Sequence, residues 1–76
     1  MRTDVIMPKM GMSMESGIVS EWLAEDGDTV SAGQIIANIE TDKIVNNIEA
    51  PVDGTLHILA ETDEEIPVAQ VIAYID

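Results

Sequence analysis

The sequence predicts an all-β fold: a flattened barrel or sandwich of two four-stranded antiparallel sheets related by an internal pseudo-twofold repeat. Three observations carry this. Apolar residues alternate at period two, as at Ile35, Ala37 and Ile39 and again at Val71, Ala73 and Ile75, the pattern of strands with one face in a core. The chain also matches itself. Gly17–Leu23 has a counterpart in Gly54–Ala60, and after a one-residue slip Val30–Glu40 matches Ile66–Asp76, with Gln34/Gln70, Ile36/Ile72, Ala37/Ala73 and Ile39/Ile75 identical. β-Branched residues are abundant, and no capped segment of helical period is present.

Taken in order, the predicted strands lie near residues 3–7, 17–23, 29–30, 35–40, 44–49, 54–60, 66–67 and 71–75. Pro8, Gly11, Asp26-Gly27-Asp28, Gly33, Pro51, Asp53-Gly54 and Asp63-Glu64-Glu65 punctuate them. The adjacent apolar pairs Ile18-Val19 and Trp22-Leu23 break strict alternation, so a β-bulge or burial on both faces is expected there. Asp26-Gly27-Asp28 reads as a turn with glycine in the left-handed position, and Asp63-Glu64-Glu65 is taken as its counterpart in the second half. Two repeats are too few for a solenoid. Residues 1–76 therefore read as one domain, a single core built from two related halves. A chain this short buries about 60% of its unfolded surface, so its stability is modest.

Three basic residues stand against fifteen acidic ones, for a net charge of −12. Such a surface repels nucleic-acid phosphates and anionic membranes. The isolated domain is expected to be monomeric and soluble. No apolar run approaches the length of a membrane span, and the brief Val5-Ile6-Met7 stretch does not make a secretory signal. The absence of cysteine removes disulfides, thiol catalysis and the usual zinc sites. These features fit a reducing, cytoplasmic setting.

Sites for chemistry are few. Asp26-Gly27-Asp28 lacks the further ligands of a calcium loop. His57, the only histidine, has no second ligand at metal spacing and reads as a strand residue. Nothing supplies a nucleophile, an oxyanion hole or a phosphate cradle, so the chain is read as a non-catalytic domain. What stands out is Glu40-Thr41-Asp42-Lys43, between the runs Ile35–Ile39 and Ile44–Ile48. Two apolar strands with so little between them make a tight turn, which holds the Lys43 amine in solvent at a protruding corner. Met7, Met10, Met12 and Met14 alternate with polar and glycine residues in the first long loop. Methionine-rich surfaces are adaptable contacts, and Met10, Met12 and Met14 are candidates for partner contact.

These residues resemble the lipoyl domain of the acyltransferase component of 2-oxo acid dehydrogenase complexes, over essentially the whole chain. The likeness runs through Met7-Pro8-Lys9-Met10-Gly11-Met12-Ser13-Met14-Glu15-Ser16-Gly17, Glu21-Trp22-Leu23, Asp26-Gly27-Asp28-Thr29-Val30 and Gly33-Gln34. It continues through Glu40-Thr41-Asp42-Lys43 and Glu49-Ala50-Pro51-Val52-Asp53-Gly54. The resemblance implies that Lys43 carries lipoate through an amide bond. It further implies that Glu40, Asp42 and Gly54 contribute to recognition by a lipoate-attaching enzyme. The arm would accept an acyl group reductively and shuttle it between dehydrogenase, acyltransferase and dihydrolipoamide dehydrogenase components. The Pro-Lys-Met-Gly run looks more like pyruvate- or acetoin-type complexes than branched-chain ones. Ile44 departs from the family, in which a small alanine is common. Two alternatives stay open: a biotin carrier, and an unmodified lipoyl-like structural module.

Overall fold

The computed structural model describes residues 2–9, 11 and 14–76. Eight strands form: β1 (Thr3–Ile6), β2 (Ser16–Trp22), β3 (Thr29–Val30), β4 (Ile35–Glu40), β5 (Val45–Glu49), β6 (Gly54–Ile58), β7 (Glu65–Pro67) and β8 (Val71–Ile75). They make two four-stranded sheets, ordered β1-β8-β6-β3 and β5-β4-β2-β7, with every pairing antiparallel. Exchanging the halves, β1 for β5, β2 for β6, β3 for β7 and β4 for β8, turns one order into the other. The repeat in the sequence is thus a pseudo-twofold in space.

The core obeys the same symmetry. Its buried residues fall into pairs: Val5/Ile48, Met7/Ala50, Val19/Leu56, Ala24/Ala60, Val30/Ile66, Ile36/Ile72, Ala37/Ala73 and Ile39/Ile75. Ile36-Ala37 and Ile72-Ala73 are each buried as neighbours because register shifts at Ile36 and Ile72 turn two successive side chains inward. Backbone bonds repeat as well. Gly33 and Ala69 donate to Ala50 and Met7, and Gly27 and Asp63 donate to Leu56 and Val19.

One asymmetry locates the slip. Val19 pairs with Ile39 and Glu21 with Asn38, which leaves Ser20 as a bulge in β2, whereas β6 runs beside β8 without interruption. Beyond Ser20 the counterpart of Trp22 is therefore Ile58. The matched turns become Glu25–Asp28 and Glu61–Glu64, so Gly27 corresponds to Asp63 rather than to Glu64. This corrects the equivalence of Asp26-Gly27-Asp28 with Asp63-Glu64-Glu65. The left-handed residue of the second turn is Asp63, with φ 64°, against 93° at Gly27. Asp28 and Glu64 each accept the amide that opens their turn, from Glu25 and Glu61. Asp26 accepts from Ile58. These carboxylates are spent on turn closure, which is the physical reason the Asp-Gly-Asp run is a turn.

Strand ends differ slightly from expectation. Leu59 and Ala60 both donate to Ile72 O, so the ladder of β6 closes at Ile58. Ile44 leaves β5 because its backbone closes the preceding turn. Trp22 donates its indole N–H to Ala60 O at 3.1 Å, joining the halves. His57 is a strand residue, stacked on Tyr74 with ring centroids 4.6 Å apart, and Arg2 covers the Tyr74 ring at 4.0 Å.

Ala69 stands where the first half has Gly33, at φ 75° against 86°. An L-residue in this region costs about 1–2 kcal/mol, offset in part by the roughly 0.4–1 kcal/mol of unfolded-state entropy that a glycine adds. The Ala69 side chain is exposed, so its removal empties no core. Ala69→Gly is therefore expected to stabilise the domain by about 0.5–1 kcal/mol, read as a rise in Tm of roughly 2–8 °C by calorimetry.

Candidate functional site: the Lys43 turn

β4 and β5 pair to their ends, with Glu40 opposite Val45, leaving Thr41-Asp42-Lys43-Ile44 as the connection. Thr41 N donates to Ile44 O at 2.8 Å. Neither Asp42 nor Lys43 takes a positive φ, which fits a four-residue hairpin loop built on a type I turn. The Thr41 hydroxyl oxygen accepts the backbone N–H groups of Lys43, at 3.3 Å, and Ile44, at 3.1 Å. One side chain thereby holds the second half of the turn.

Asp42, Lys43 and Ile44 are all exposed, and among the described residues the Lys43 amine makes no ion pair. It stands exposed at the corner where the sequence places it. The pseudo-twofold carries Glu40 onto Asp76 and β5 onto β1, so the counterpart of the turn is the place where β1 begins and β8 ends.

Two shallow grooves flank the turn. One is lined by Gly11, Met14, Glu15 and Ser16 of the first loop together with Thr41–Ile44. The other is lined by Ser16, Gly17, Ile18, Glu40, Thr41, Asp42 and Glu65. The first loop thus lies beside the lysine, and a side chain at Gly11 would touch Ile44 Cδ1 at 3.9 Å. Met14 is half-buried and packs against the core while still lining the groove. Met10 and Met12 lie outside the described residues.

Of the other residues read from the sequence, Glu40 and Asp42 sit at the turn with exposed side chains. Gly54 does not. It begins β6, pairs with Val30 and lies against Ile75 and Asp76, at the end of the domain related to the turn by the pseudo-twofold. Glu15, Glu65 and Thr41 went unselected in the sequence. The two acids are distant from Lys43 in sequence, and only the pairing of β2 with β4 and β7 brings them near. Thr41 did carry a local signal, since a threonine opening a tight turn bonds amides two and three residues on.

Comparison with known proteins agrees with this geometry. The Biotin_lipoyl family, described as "Biotin-requiring enzyme", matches residues 3–75. The chain is 46% identical over 76 residues to the dihydrolipoyllysine-residue acetyltransferase component of the acetoin cleaving system of Bacillus subtilis, covering 99% of this chain and 19% of that protein. It is 42% identical over 74 residues to the dihydrolipoyllysine-residue acetyltransferase component of the pyruvate dehydrogenase complex of Corynebacterium glutamicum, covering 96% and 11%. It is 45% identical over 56 residues to a pyruvate dehydrogenase E1 component subunit beta of Rhizobium meliloti, covering 74% and 12%. The chain spans a fifth or less of the length of each of these relatives. A two-halved all-β sandwich with its exposed lysine at the central hairpin, matched over nearly its full length, belongs to the biotin–lipoyl family.

Proposed function

We propose that the domain is a lipoyl carrier, in which Lys43 bears lipoate in amide linkage and the rigid sandwich presents the resulting arm to the active sites of a 2-oxo acid or acetoin dehydrogenase complex. The observation that carries this reading is the Lys43 turn: a solvated primary amine at a fixed corner, open on both flanks, with no competing ion pair among the described residues. Lipoate fits there, since amide formation needs only an accessible amine and leaves the long acyl chain clear of the sheets. Once attached, the dithiolane supplies reductive acceptance of an acyl group.

The chain's own residues supply presentation. β4 and β5 fix the root of the arm, and tethering replaces diffusion between sites by a high effective concentration. Amide formation also removes a positive charge, which makes the lysine end, with Glu15, Glu40, Asp42 and Glu65, more acidic. Recurrence of the module in an acetyltransferase component and in a dehydrogenase subunit fits a unit that works by being carried among partners. The expected partners are a lipoate-attaching enzyme, which reads Glu40 and Asp42, and the dehydrogenase, acyltransferase and dihydrolipoamide dehydrogenase components.

Lipoate rather than biotin is favoured by the neighbours of Lys43. Biotin carriers resemble one another in flanking their lysine with methionines, whereas Asp42 and Ile44 stand here. A carboxylate offers a ligase a charged acceptor, and methionine offers only apolar, polarizable contact. Incubated separately with a lipoate ligase and a biotin ligase, the protein is expected to gain one lipoyl group and no biotin by intact mass. The double substitution Asp42→Met, Ile44→Met should lower lipoylation and give detectable biotinylation, because specificity is a difference of affinities. Biotin uptake by the wild type equal to its lipoate uptake would replace the lipoyl reading with the biotin one.

A further inference from the structure

We infer that Thr41 is a positioning residue for attachment at Lys43: its hydroxyl, not its contribution to fold stability, sets how readily the attaching enzyme captures the lysine. The inference rests on the lipoyl reading above and adds a residue to it. Thr41 Oγ1 accepts from both Lys43 N and Ile44 N, while Thr41 N donates to Ile44 O. The hydroxyl also lies 3.4 Å from Ile44 O. No other side chain among the described residues bonds the backbone of Asp42, Lys43 or Ile44. The lysine's backbone is therefore fixed from one point.

The surroundings decide what loss of that point would do. Asp42, Lys43 and Ile44 are exposed, so amides released by Thr41 pass to water and leave no unsatisfied buried group. The ladder up to Glu40 and Val45 and the bond from Thr41 N to Ile44 O remain. The fold survives, and the turn samples more conformations. An enzyme that captures one of them then meets a smaller competent fraction, which weakens apparent binding in proportion and leaves the bound complex unaltered.

The test uses the 76-residue chain with Thr41→Val, which keeps the shape and removes the hydroxyl, alongside Thr41→Ser and Thr41→Asn. Serine keeps the acceptor, and asparagine rebuilds it from a side-chain carbonyl as an Asx-turn. With a lipoate ligase, Thr41→Val is expected to raise KM for the domain about fivefold, the worth of one ordinary hydrogen bond, with kcat nearly unchanged. Thr41→Ser and Thr41→Asn should recover most of the difference. Amide hydrogen exchange at Lys43 and Ile44, measured by NMR on unmodified protein, should quicken in Thr41→Val and recover in the other two, with exchange across β2 and β8 unaffected.

Equal KM for Thr41→Val and wild type would overturn the inference. So would a Thr41→Asn protein as impaired as Thr41→Val, since the ligase would then be touching the hydroxyl itself. A wild-type domain that takes up no lipoyl group would overturn the attachment reading, and this role with it, even if the exchange data followed the pattern described.

Discussion

Lys43→Ala is expected to abolish lipoyl incorporation outright while leaving the fold and its stability as they are. The amine is the nucleophile of the attachment, so its removal leaves nothing to acylate. Exposure alone does not single it out, because Lys9 is exposed too. The difference lies in the backbone. Lys43 sits at the corner of a hairpin closed by Thr41 and by the last pair of β4 and β5, whereas Lys9 lies in the loop that follows β1. Stability should hold within about 0.5 kcal/mol, since the side chain is exposed and makes no ion pair among the described residues. Lys43→Arg keeps the charge but not the acylable amine and should fail equally, which separates chemistry from electrostatics. Intact mass after ligase treatment, followed by peptide mapping, decides the matter. Lipoyl found on Lys9 of the Lys43→Ala protein would overturn the assignment.

The sequence displayed this site and most of the fold for a physical reason. Alternation marked Ile35–Glu40 and Val71–Ile75 as strands with the observed bounds, but it also put Ile35 and Val71 on the core face. The bulges at Ile36 and Ile72 bury those residues instead, leaving Ile35 exposed and Val71 half-buried. A lysine between two such strands has nowhere to go but the corner. Other features depend on geometry that alternation does not encode. Ile18-Val19 and Trp22-Leu23 signalled a bulge without saying that Ser20 was its residue, and that displaced the second half's turn by one position. Asp63 tolerates a left-handed backbone, but Ala69 carries no mark of one. The resemblance marks Gly54 for recognition, and the closeness of Ile75 and Asp76 to it adds a packing constraint that sequence spacing does not display. Glu15 and Glu65 reach the lysine end only through strand pairing.

Gly54→Ala is expected to be the most damaging single-methyl change in the domain, and its counterpart Gly17→Ala supplies the control. Both glycines lie near the start of their strands, β6 and β2, and each faces the end of its matched neighbour, Asp76 just past β8 or Glu40 closing β4. Their backbones differ. Gly54 has φ 153°, a region essentially reserved for glycine, where another residue costs of order 1–3 kcal/mol. A Cβ there would also stand 2.7 Å from Ile75 Cγ2 and 3.0 Å from the Asp76 carbonyl oxygen. Ile75 is fully buried and the backbone of Asp76 is bonded in both directions to Thr55, so neither can yield without disturbing β6 and β8. Overpacking of this kind adds about 1–3 kcal/mol. At Gly17 the nearest atoms are Met14 Cε at 2.9 Å and Met7 Sδ at 3.4 Å, the far ends of flexible side chains and not backbone. Gly54→Ala should therefore cost roughly 2–5 kcal/mol, much of the stability available to a domain of this size, and Gly17→Ala only about 1 kcal/mol. Urea unfolding followed by the fluorescence of Trp22 measures both. Because Gly54 lies away from the turn, Gly54→Ala protein that remains folded at low temperature should still accept lipoate at Lys43. Normal stability combined with lost lipoylation would show that Gly54 is read by the attaching enzyme and is not held in place by packing.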